Sequence, residues 1–334
     1  MKIVVYCGEG WERDYLAERL SEHDVRFLDP SSPEDLAYTD EQTECVCVFI
    51  KTRVDGSIFA RFPKLRAVVT RSTGFDHIDV SAMKERGVSV SNVPAYGENT
   101  VAEYAFAMLL SLSRKLYETY ERVVEEGNFS TEGIMGFDLR GRKMGIVGTG
   151  HTGQHAMRMA RGFGMEVIAF DVHEKKELES ELEFMYVTFE DLLAQSDVIS
   201  LHAPYNEHTH HMINSSAFAK MKKGVYLINT ARGGLVETRA LVQAVENGTV
   251  AGAGLDVVES EEKMSHDVSL LLDEHPDAET LQILLANQYL IDHPNVLIMP
   301  HNAFNTREAR ERILETTLEN IHGVANGEPK NSVK

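Results

Sequence analysis

Short, continuous apolar runs recur along this 334-residue chain, and a stretch with helical periodicity follows each of them. The runs are rich in β-branched residues and bounded by Gly, Pro or polar residues, which is typical of strands. Unbroken hydrophobicity fits strands that are covered on both faces, as in parallel sheets. Strands that alternate with helices predict a doubly wound α/β architecture. The predicted strands are Ile3–Tyr6, Cys45–Ile50, Ala67–Thr70, Met144–Val147, Val167–Phe170, Val198–Leu201, Val225–Asn229 and Val296–Met299.

Two longer helical patterns suggest how the chain is divided. The first runs from about Asn99 to Glu126, and the second from about Asn305 to Ala325. The length also favours two domains, because single cores stop growing at about 250–300 residues. We therefore expect residues 1–98 and 304–334 to form one domain, into which residues 99–303 are inserted as a second domain.

The composition excludes several classes of partner. The net charge of −19 disfavours nucleic acids and anionic membranes, which bind clustered Lys and Arg. The longest apolar-rich segment, Tyr104 to Leu112, is half of what a membrane span needs. The cysteines, Cys7, Cys45 and Cys47, are too few and odd in number for a disulfide framework. These features predict a cytoplasmic protein that binds neither nucleic acid nor membrane.

Residues 148–153 read Gly-Thr-Gly-His-Thr-Gly and lie between a predicted strand and a predicted helix. Gly148 permits a tight turn, Gly150 lets the backbone approach a pyrophosphate, and Gly153 lets the helix pack on the strand. The pyrophosphate then accepts hydrogen bonds from the free N–H groups at the positive end of the helix. The pattern predicts a dinucleotide site, against the alternatives of a Gly-rich turn or an S-adenosylmethionine site.

The choice of dinucleotide depends on Asp171, which ends the next predicted strand. A carboxylate there accepts hydrogen bonds from the ribose hydroxyls and repels a 2′-phosphate, so NAD is favoured over NADP. The nearby Lys175 and Lys176 weaken that preference. His151 is expected to lie on the surface over the phosphates rather than to take part in catalysis.

Polar residues also follow three predicted strands, at the carboxyl ends where open α/β sheets bind ligands. Arg232 follows the strand Val225–Asn229, acidic residues in the segment 256–261 follow a further short strand that ends at Leu255, and His301 follows the strand Val296–Met299. Arg232 could hold a substrate carboxylate in a bidentate pair. His301 could exchange a proton with a hydroxyl group, and a neighbouring carboxylate would orient its ring and favour the protonated form. This set suits the chemistry of 2-hydroxy acids.

The motifs resemble those of the D-isomer-specific 2-hydroxyacid dehydrogenase family. The likeness is carried by GTGHTG with Asp171, by the runs HAP, INTARGGLV, GLDVVESE and MPHNAF, and by RSTGFD near the first domain's end. They stand in the family's order and span nearly the whole chain. The resemblance implies a Rossmann NAD-binding domain inserted in a flavodoxin-like substrate domain. It also implies hydride transfer between NAD(H) and a small D-2-hydroxy acid or 2-oxo acid.

The resemblance assigns roles to individual residues. Arg232, Glu261 and His301 match the family's catalytic residues. The substrate residues are Thr73 and Gly74, through their backbone N–H groups, Arg232, and Tyr96 and Phe304, which would line a small pocket as in the D-lactate dehydrogenase branch. Asp256 matches the residue that holds the nicotinamide carboxamide. The implied coenzyme site comprises Gly148, Gly150, His151, Thr152, Gly153, Asp171, His202, Ala203, Pro204, Thr230, Ala231 and Asp256.

The sequence departs from the family pattern at two places. Glu262 stands where a proline often follows the catalytic Glu, and residues 259–292 contain an insertion with a short amphipathic helix. The resemblance further implies a homodimer formed through the NAD-binding domain. No metal is expected, because the histidines of the tract 208–211 lack a carboxylate or Cys with zinc-ligand spacing.

Three other functions stay open at this point. One is a glyoxylate or hydroxypyruvate reductase of the same family. Another is an NAD(H)-sensing binding protein, like the transcriptional corepressors that resemble this family, with little or no turnover. The third is methyl transfer from S-adenosylmethionine, which gives no role to a His301–Glu261 pair.

Overall fold

The computed structural model of the chain describes residues 1–50, 52–264 and 277–333. Two structural units are present, one formed by Met1–Tyr96 together with Asn305–Lys334, and the other by Gly97–Phe304. The assignment of the first unit as the substrate domain stays a prediction. Residues 265–276 of the predicted insertion lie outside the described residues.

The first unit contains a parallel sheet with helices along it. Its strands are β1 (Lys2–Tyr6), β2 (Asp24–Leu28), β3 (Cys45–Val48), β4 (Ala67–Thr70) and β5 (Ser89–Ser91). Its helices are α1 (Trp11–Arg19), α2 (Pro33–Leu36), α3 (Ile58–Arg61), α4 (Val80–Glu85) and the C-terminal α13 (Arg307–Ala325). The strand order β2-β1-β3-β4-β5 is that of flavodoxin-like folds, which confirms the predicted class.

Both faces of this sheet are buried, as the unbroken apolar runs predict. Successive residues of β1 alternate between the two cores: Val4 packs in one, whereas Ile3 and Val5 pack in the other. The second core also contains Cys45 and Cys47, together with apolar residues of α13. The C-terminal helix therefore closes one face of the sheet that the N-terminal strands build.

The second unit contains a larger parallel sheet. Its strands are β6 (Lys143–Val147), β7 (Glu166–Phe170), β8 (Met185–Tyr186), β9 (Val198–Leu201), β10 (Val225–Asn229), β11 (Val250–Leu255) and β12 (Val296–Ile298). Its helices are α5 (Glu98–Arg114), α6 (Leu116–Glu126), α7 (His151–Gly162), α8 (Glu177–Leu182), α9 (Phe189–Gln195), α10 (Ser215–Lys220), α11 (Thr238–Glu246) and α12 (Ala278–Ile291). The order β12-β11-β10-β9-β6-β7-β8 is the Rossmann order extended by one strand, which confirms the predicted fold.

The helical pattern from Asn99 to Glu126 forms two helices instead of the single one predicted. The helix is interrupted at Lys115, which adopts a left-handed conformation with φ of 50°. The carbonyl group of Ser113 accepts a hydrogen bond of 2.8 Å from the N–H group of Phe137, a partner that a continuous helix would supply from its own next turn. The returning loop therefore ends α5.

None of the helices in the described ranges combines the length and the apolar character that crossing a membrane requires.

Candidate active site

The glycine-rich loop joins β6 to α7, and two of its glycines are fixed by close packing. Gly148 has φ of +97°, and a Cβ atom there would lie 2.7 Å from the carbonyl carbon of His202. A Cβ atom on Gly153 would lie 2.1 Å from the carbonyl oxygen of Gly148. Neither position accommodates a side chain, so the turn and the start of α7 keep this tight form only with glycine.

Gly150 is different, because neither its backbone conformation nor its packing requires a glycine. Its φ of −64° is ordinary, and no atom lies within 4 Å of where its Cβ would be. In the described part of the chain the N–H groups of His151, Thr152 and Gly153 have no acceptor. An open surface beside unpaired donors at a helix N-terminus is a cradle that fits a diphosphate.

A polar group without a hydrogen-bond partner among the described residues also lies at the carboxyl end of β10. The hydroxyl group of Thr230 is buried and has no hydrogen-bond partner among the described residues. Ala231 follows it and donates its N–H to Asn229 Oδ1 at 3.0 Å. A buried hydroxyl group without a partner is costly, so it too fits a site that a ligand completes.

Asp171 follows β7 and binds the glycine-rich loop directly. Its Oδ2 accepts hydrogen bonds from the N–H and hydroxyl groups of Thr149, at 2.7 and 3.0 Å, and its Oδ1 accepts one from the N–H group of His173 at 2.9 Å. Burial opposes ionisation, but these hydrogen bonds outweigh it and hold the pKa of Asp171 below its usual value. A carboxylate remains charged here, where it would repel a 2′-phosphate.

The segment His202-Ala203-Pro204 packs against the same loop. The N–H group of His202 donates to the carbonyl group of Val147 at 2.7 Å, and its Nε2 lies 2.9 Å from the Ser200 hydroxyl oxygen. Burial lowers the pKa of His202 to about 4, so the imidazole is neutral at neutral pH. The segment therefore supports Gly148 without adding charge near the proposed phosphate cradle.

The structure brings His301 and Glu261 into contact. His301 Nδ1 lies 2.6 Å from Glu261 Oε1, and both side chains are partly exposed. Among the described residues Nε2 of the same ring has no hydrogen-bond partner. The pair therefore leaves one ring nitrogen open to a ligand and holds the other on a carboxylate, which suits a group that transfers a proton.

Asp256 holds the turn in which His301 lies. His301 adopts a left-handed conformation with φ of 53°, and its N–H group donates to the carbonyl group of Asp256 at 2.9 Å. The buried Asp256 carboxylate accepts the N–H groups of Asn302 and Ala303, at 2.7 and 2.9 Å. Burial raises the pKa of Asp256 against the opposing effect of these hydrogen bonds. Its expected contact with a nicotinamide carboxamide stays a prediction.

Arg232 lies in the loop after β10, in the same unit. Asn229 fixes this loop, since its Nδ2 donates to the Arg232 carbonyl group at 2.9 Å. A Cβ atom on Gly233 would lie 2.1 Å from the carbonyl carbon of Val258. The backbone after Arg232 is therefore pressed against the segment that carries Glu261, and a side chain at 233 would push the two loops apart.

A second His–Glu pair contains Glu259, two residues before Glu261, and was not predicted from the sequence. His211 Nε2 is 2.5 Å from Glu259 Oε1, and Oε2 of the same carboxylate accepts the N–H group of Thr238 at 2.7 Å. Asn287 Nδ2 also donates to the Glu259 carbonyl group at 2.8 Å. The sequence gives no signal for this pair, because its members are remote along the chain and the histidine tract suggests only a polar loop.

The remaining residues that the resemblance assigns to the substrate belong to different units. In the first unit, Thr73 and Gly74 follow β4, and their N–H groups donate to no group among the described residues. The carbonyl group of Tyr96 accepts a hydrogen bond from Arg312 Nε at 2.5 Å. Phe304 ends the second unit and is partly buried. Their expected roles toward a substrate stay predictions.

Comparison with known proteins agrees with this geometry. A sequence profile of the D-isomer specific 2-hydroxyacid dehydrogenase NAD binding domain matches residues 106–303. The D-lactate dehydrogenase of Escherichia coli (strain K12) is 34% identical over 333 residues, 98% of each chain. The glyoxylate reductase of Korarchaeum cryptofilum is 37% identical over 285 residues, which are 84% of this chain and 79% of that one.

Solved structures give the same result. The structure of D-lactate dehydrogenase from Aquifex aeolicus complexed with NAD and lactic acid matches with a TM-score of 0.84 and 34% identity, covering 98% of this chain and 96% of that chain. The family match over residues 106–303 confirms NAD as the coenzyme. The chain belongs to the D-isomer specific 2-hydroxyacid dehydrogenase family, and this segment is its NAD-binding domain.

Proposed function

We propose that this protein interconverts pyruvate and D-lactate with NAD(H). The observation that carries the proposal is the 2.6 Å contact between His301 and Glu261, which supplies a proton donor and acceptor for a substrate oxygen. The similarity to D-lactate dehydrogenases of two bacteria supports the choice of substrate. A glyoxylate reductase is also among the relatives, so the size of the substrate side chain is the point to test.

Bound NAD(H) supplies or accepts the hydride, and the chain's own residues do the rest. Arg232 binds the substrate carboxylate through a charge-assisted pair and polarises the neighbouring carbonyl group. In the direction of reduction, His301 Nε2 gives its proton to the carbonyl oxygen, and in oxidation it takes the proton back. Glu261 holds the ring through its 2.6 Å contact with Nδ1.

We infer that the pair of His211 and Glu259 keeps the Glu261 segment in place. The Glu259 side chain is only 10% exposed, and it connects that segment to α11 through Thr238. Because Glu259 lies two residues before Glu261, displacement of one carboxylate would move the other. The pair thus serves the proton-transferring residues without touching the substrate.

We further propose a homodimer formed by the NAD-binding domain. Large apolar side chains lie exposed on α6, including Tyr117, Tyr120 and Val124, which are 58%, 67% and 61% exposed. A helix face of this kind is typical of a surface that a second copy covers. A cytoplasmic location is proposed as well, and the three unpaired thiols support it, because reducing compartments keep cysteines in this state.

The substrate is tested with a panel of 2-oxo acids and both reduced coenzymes. We expect kcat/KM for pyruvate with NADH to exceed that for glyoxylate by about tenfold or more, since one methyl group in an apolar pocket contributes about 1–3 kcal/mol. Oxidation of NADH is followed by its absorbance. Preference for glyoxylate or hydroxypyruvate would contradict the choice of pyruvate. Tight binding of NADH without turnover of any 2-oxo acid would instead support the sensing function.

Replacement of the substrate anchor should abolish most of the activity. In Arg232→Ala, kcat/KM for pyruvate is expected to fall by about 10³-fold or more, because even one lost donor to a developing oxyanion costs about 10²–10³-fold. The matched control is Arg239→Ala, an exposed arginine on α11 that donates to Gln282. Equal rates in the two variants would rule out the role given to Arg232.

Loss of the second pair should destabilise the protein. In Glu259→Ala, the free energy of unfolding in denaturant is expected to fall by about 1–3 kcal/mol, because the Thr238 N–H group loses its partner. The kcat for pyruvate should fall as well, since the Glu261 segment is released. Glu207→Ala, at an exposed site, is the control. Unchanged stability and kcat in Glu259→Ala would refute this role.

The dimer is tested by introducing charge on α6. Val124→Glu is expected to shift the mass measured by light scattering from that of a dimer to that of a monomer, because a buried unpaired carboxylate opposes association. Met185→Glu is the control, since Met185 is 60% exposed on the edge strand β8. A monomeric wild-type protein, or a dimeric Val124→Glu variant, would refute the proposed interface.

A further inference from the structure

Three potential metal ligands meet in the first unit, at a place that the reaction does not use. Glu22 and His23 lie in the turn between α1 and β2, and His322 lies in the last turn of α13. One carboxylate oxygen of Glu22, Nε2 of His23 and Nδ1 of His322 all lie within 4.8 Å of one another. None of these residues is assigned to the substrate or the coenzyme.

Two of the three separations between these atoms match those of ligands around an ion. Glu22 Oε1 lies 3.6 Å from His23 Nε2 and 3.4 Å from His322 Nδ1. Around a tetrahedral zinc ion, with bonds of about 2.0–2.2 Å, ligand atoms lie about 3.3–3.6 Å apart. Both observed distances are longer than that of a good hydrogen bond. Direct hydrogen bonding within the cluster therefore does not explain its geometry.

His23 provides an independent indication that a ligand is missing from the cluster. Its side chain is only 9% exposed, and Nε2 has no hydrogen-bond partner among the described residues. An unsatisfied buried nitrogen is costly, and coordination of a cation would satisfy it.

We propose that Glu22, His23 and His322 bind one Zn²⁺ ion, with water as the fourth ligand. Two imidazole nitrogens and a carboxylate oxygen form a donor set that binds zinc in proteins. The ion links the α1–β2 turn to the C-terminal helix. Since α13 covers one face of the sheet, the metal would hold this C-terminal helix against the N-terminal part of the first unit.

The other histidine-rich part of the chain does not offer such a site. His211 Nε2 is engaged by Glu259, and His210 Nδ1 lies 3.0 Å from the Tyr205 hydroxyl oxygen. The rings of His210 and His211 stack at 3.8 Å. These side chains have protein partners, whereas His23 Nε2 lacks a hydrogen-bonding one in the described ranges.

The proposal is tested with the full chain, treated with a chelator and titrated with Zn²⁺ by calorimetry. Wild type is expected to bind one ion per chain, and its midpoint of thermal unfolding should rise. His322→Gln and Glu22→Gln should each weaken the affinity by about 100-fold or more, because each removes a direct ligand. His208→Gln, which changes an 85% exposed histidine, is the control and should leave the affinity unchanged.

A second measurement distinguishes this site from weak surface binding. Co²⁺ in place of Zn²⁺ should give wild type the intense visible absorption of tetrahedral Co²⁺, and both ligand variants should lose it. His322 and Glu22 are 37% and 68% exposed, so these variants are expected to fold, and thermal unfolding without metal checks this. An unchanged affinity in His322→Gln, or the absence of the tetrahedral band in wild type, would overturn the proposal.

Discussion

The arrangement of the proposed catalytic residues depends on the buried carboxylate of Asp256. This side chain follows β11 and accepts two backbone N–H groups from the turn after the neighbouring strand β12. Those two hydrogen bonds support the left-handed conformation of His301, which a residue other than glycine adopts at a cost of about 1–3 kcal/mol. The Asp256 carboxylate thus helps to orient the His301 imidazole through the backbone. The family resemblance links Asp256 to the coenzyme and does not by itself suggest this role.

Much of the fold can be predicted from the sequence because the central strands of parallel sheets are apolar without interruption. The strands that the apolar runs do not indicate include β2, β5 and β8, and each of these lies at the edge of its sheet. An edge strand has one neighbour and is partly exposed. Exposed and partly buried residues therefore alternate along β2 before the buried Leu28, and β8 has only two residues. The end of α5 at Lys115 cannot be predicted from the local sequence either, because the Phe137 N–H group that ends this helix comes from a loop farther along the chain.

The candidate active site also contains residues that the sequence predicts and residues that it does not. Arg232 and His301 can be placed near each other from sequence because β10, β11 and β12 are adjacent parallel strands whose carboxyl ends share one edge. No comparable rule predicts which side chains from separate helices and loops will be in contact. The pair of His211 and Glu259 depends on how the loop after β9 folds back, and the cluster around His23 depends on the docking of α13. Neither arrangement leaves a local pattern that could have indicated it.

The segment Glu259-Ser260-Glu261 shows why spacing alone does not assign the carboxylates. Both glutamates follow the same strand, and each lies within 2.6 Å of an imidazole nitrogen. Ser260, with φ of 55°, turns the chain between them, so that one carboxylate is 10% exposed and bonded to α11 whereas the other is 36% exposed beside His301. A buried carboxylate whose oxygens already have partners can hold structure, and a more exposed one can orient the ring of a histidine that exchanges a proton. The backbone at one serine therefore separates the proposed structural pair from the proposed proton-transferring pair.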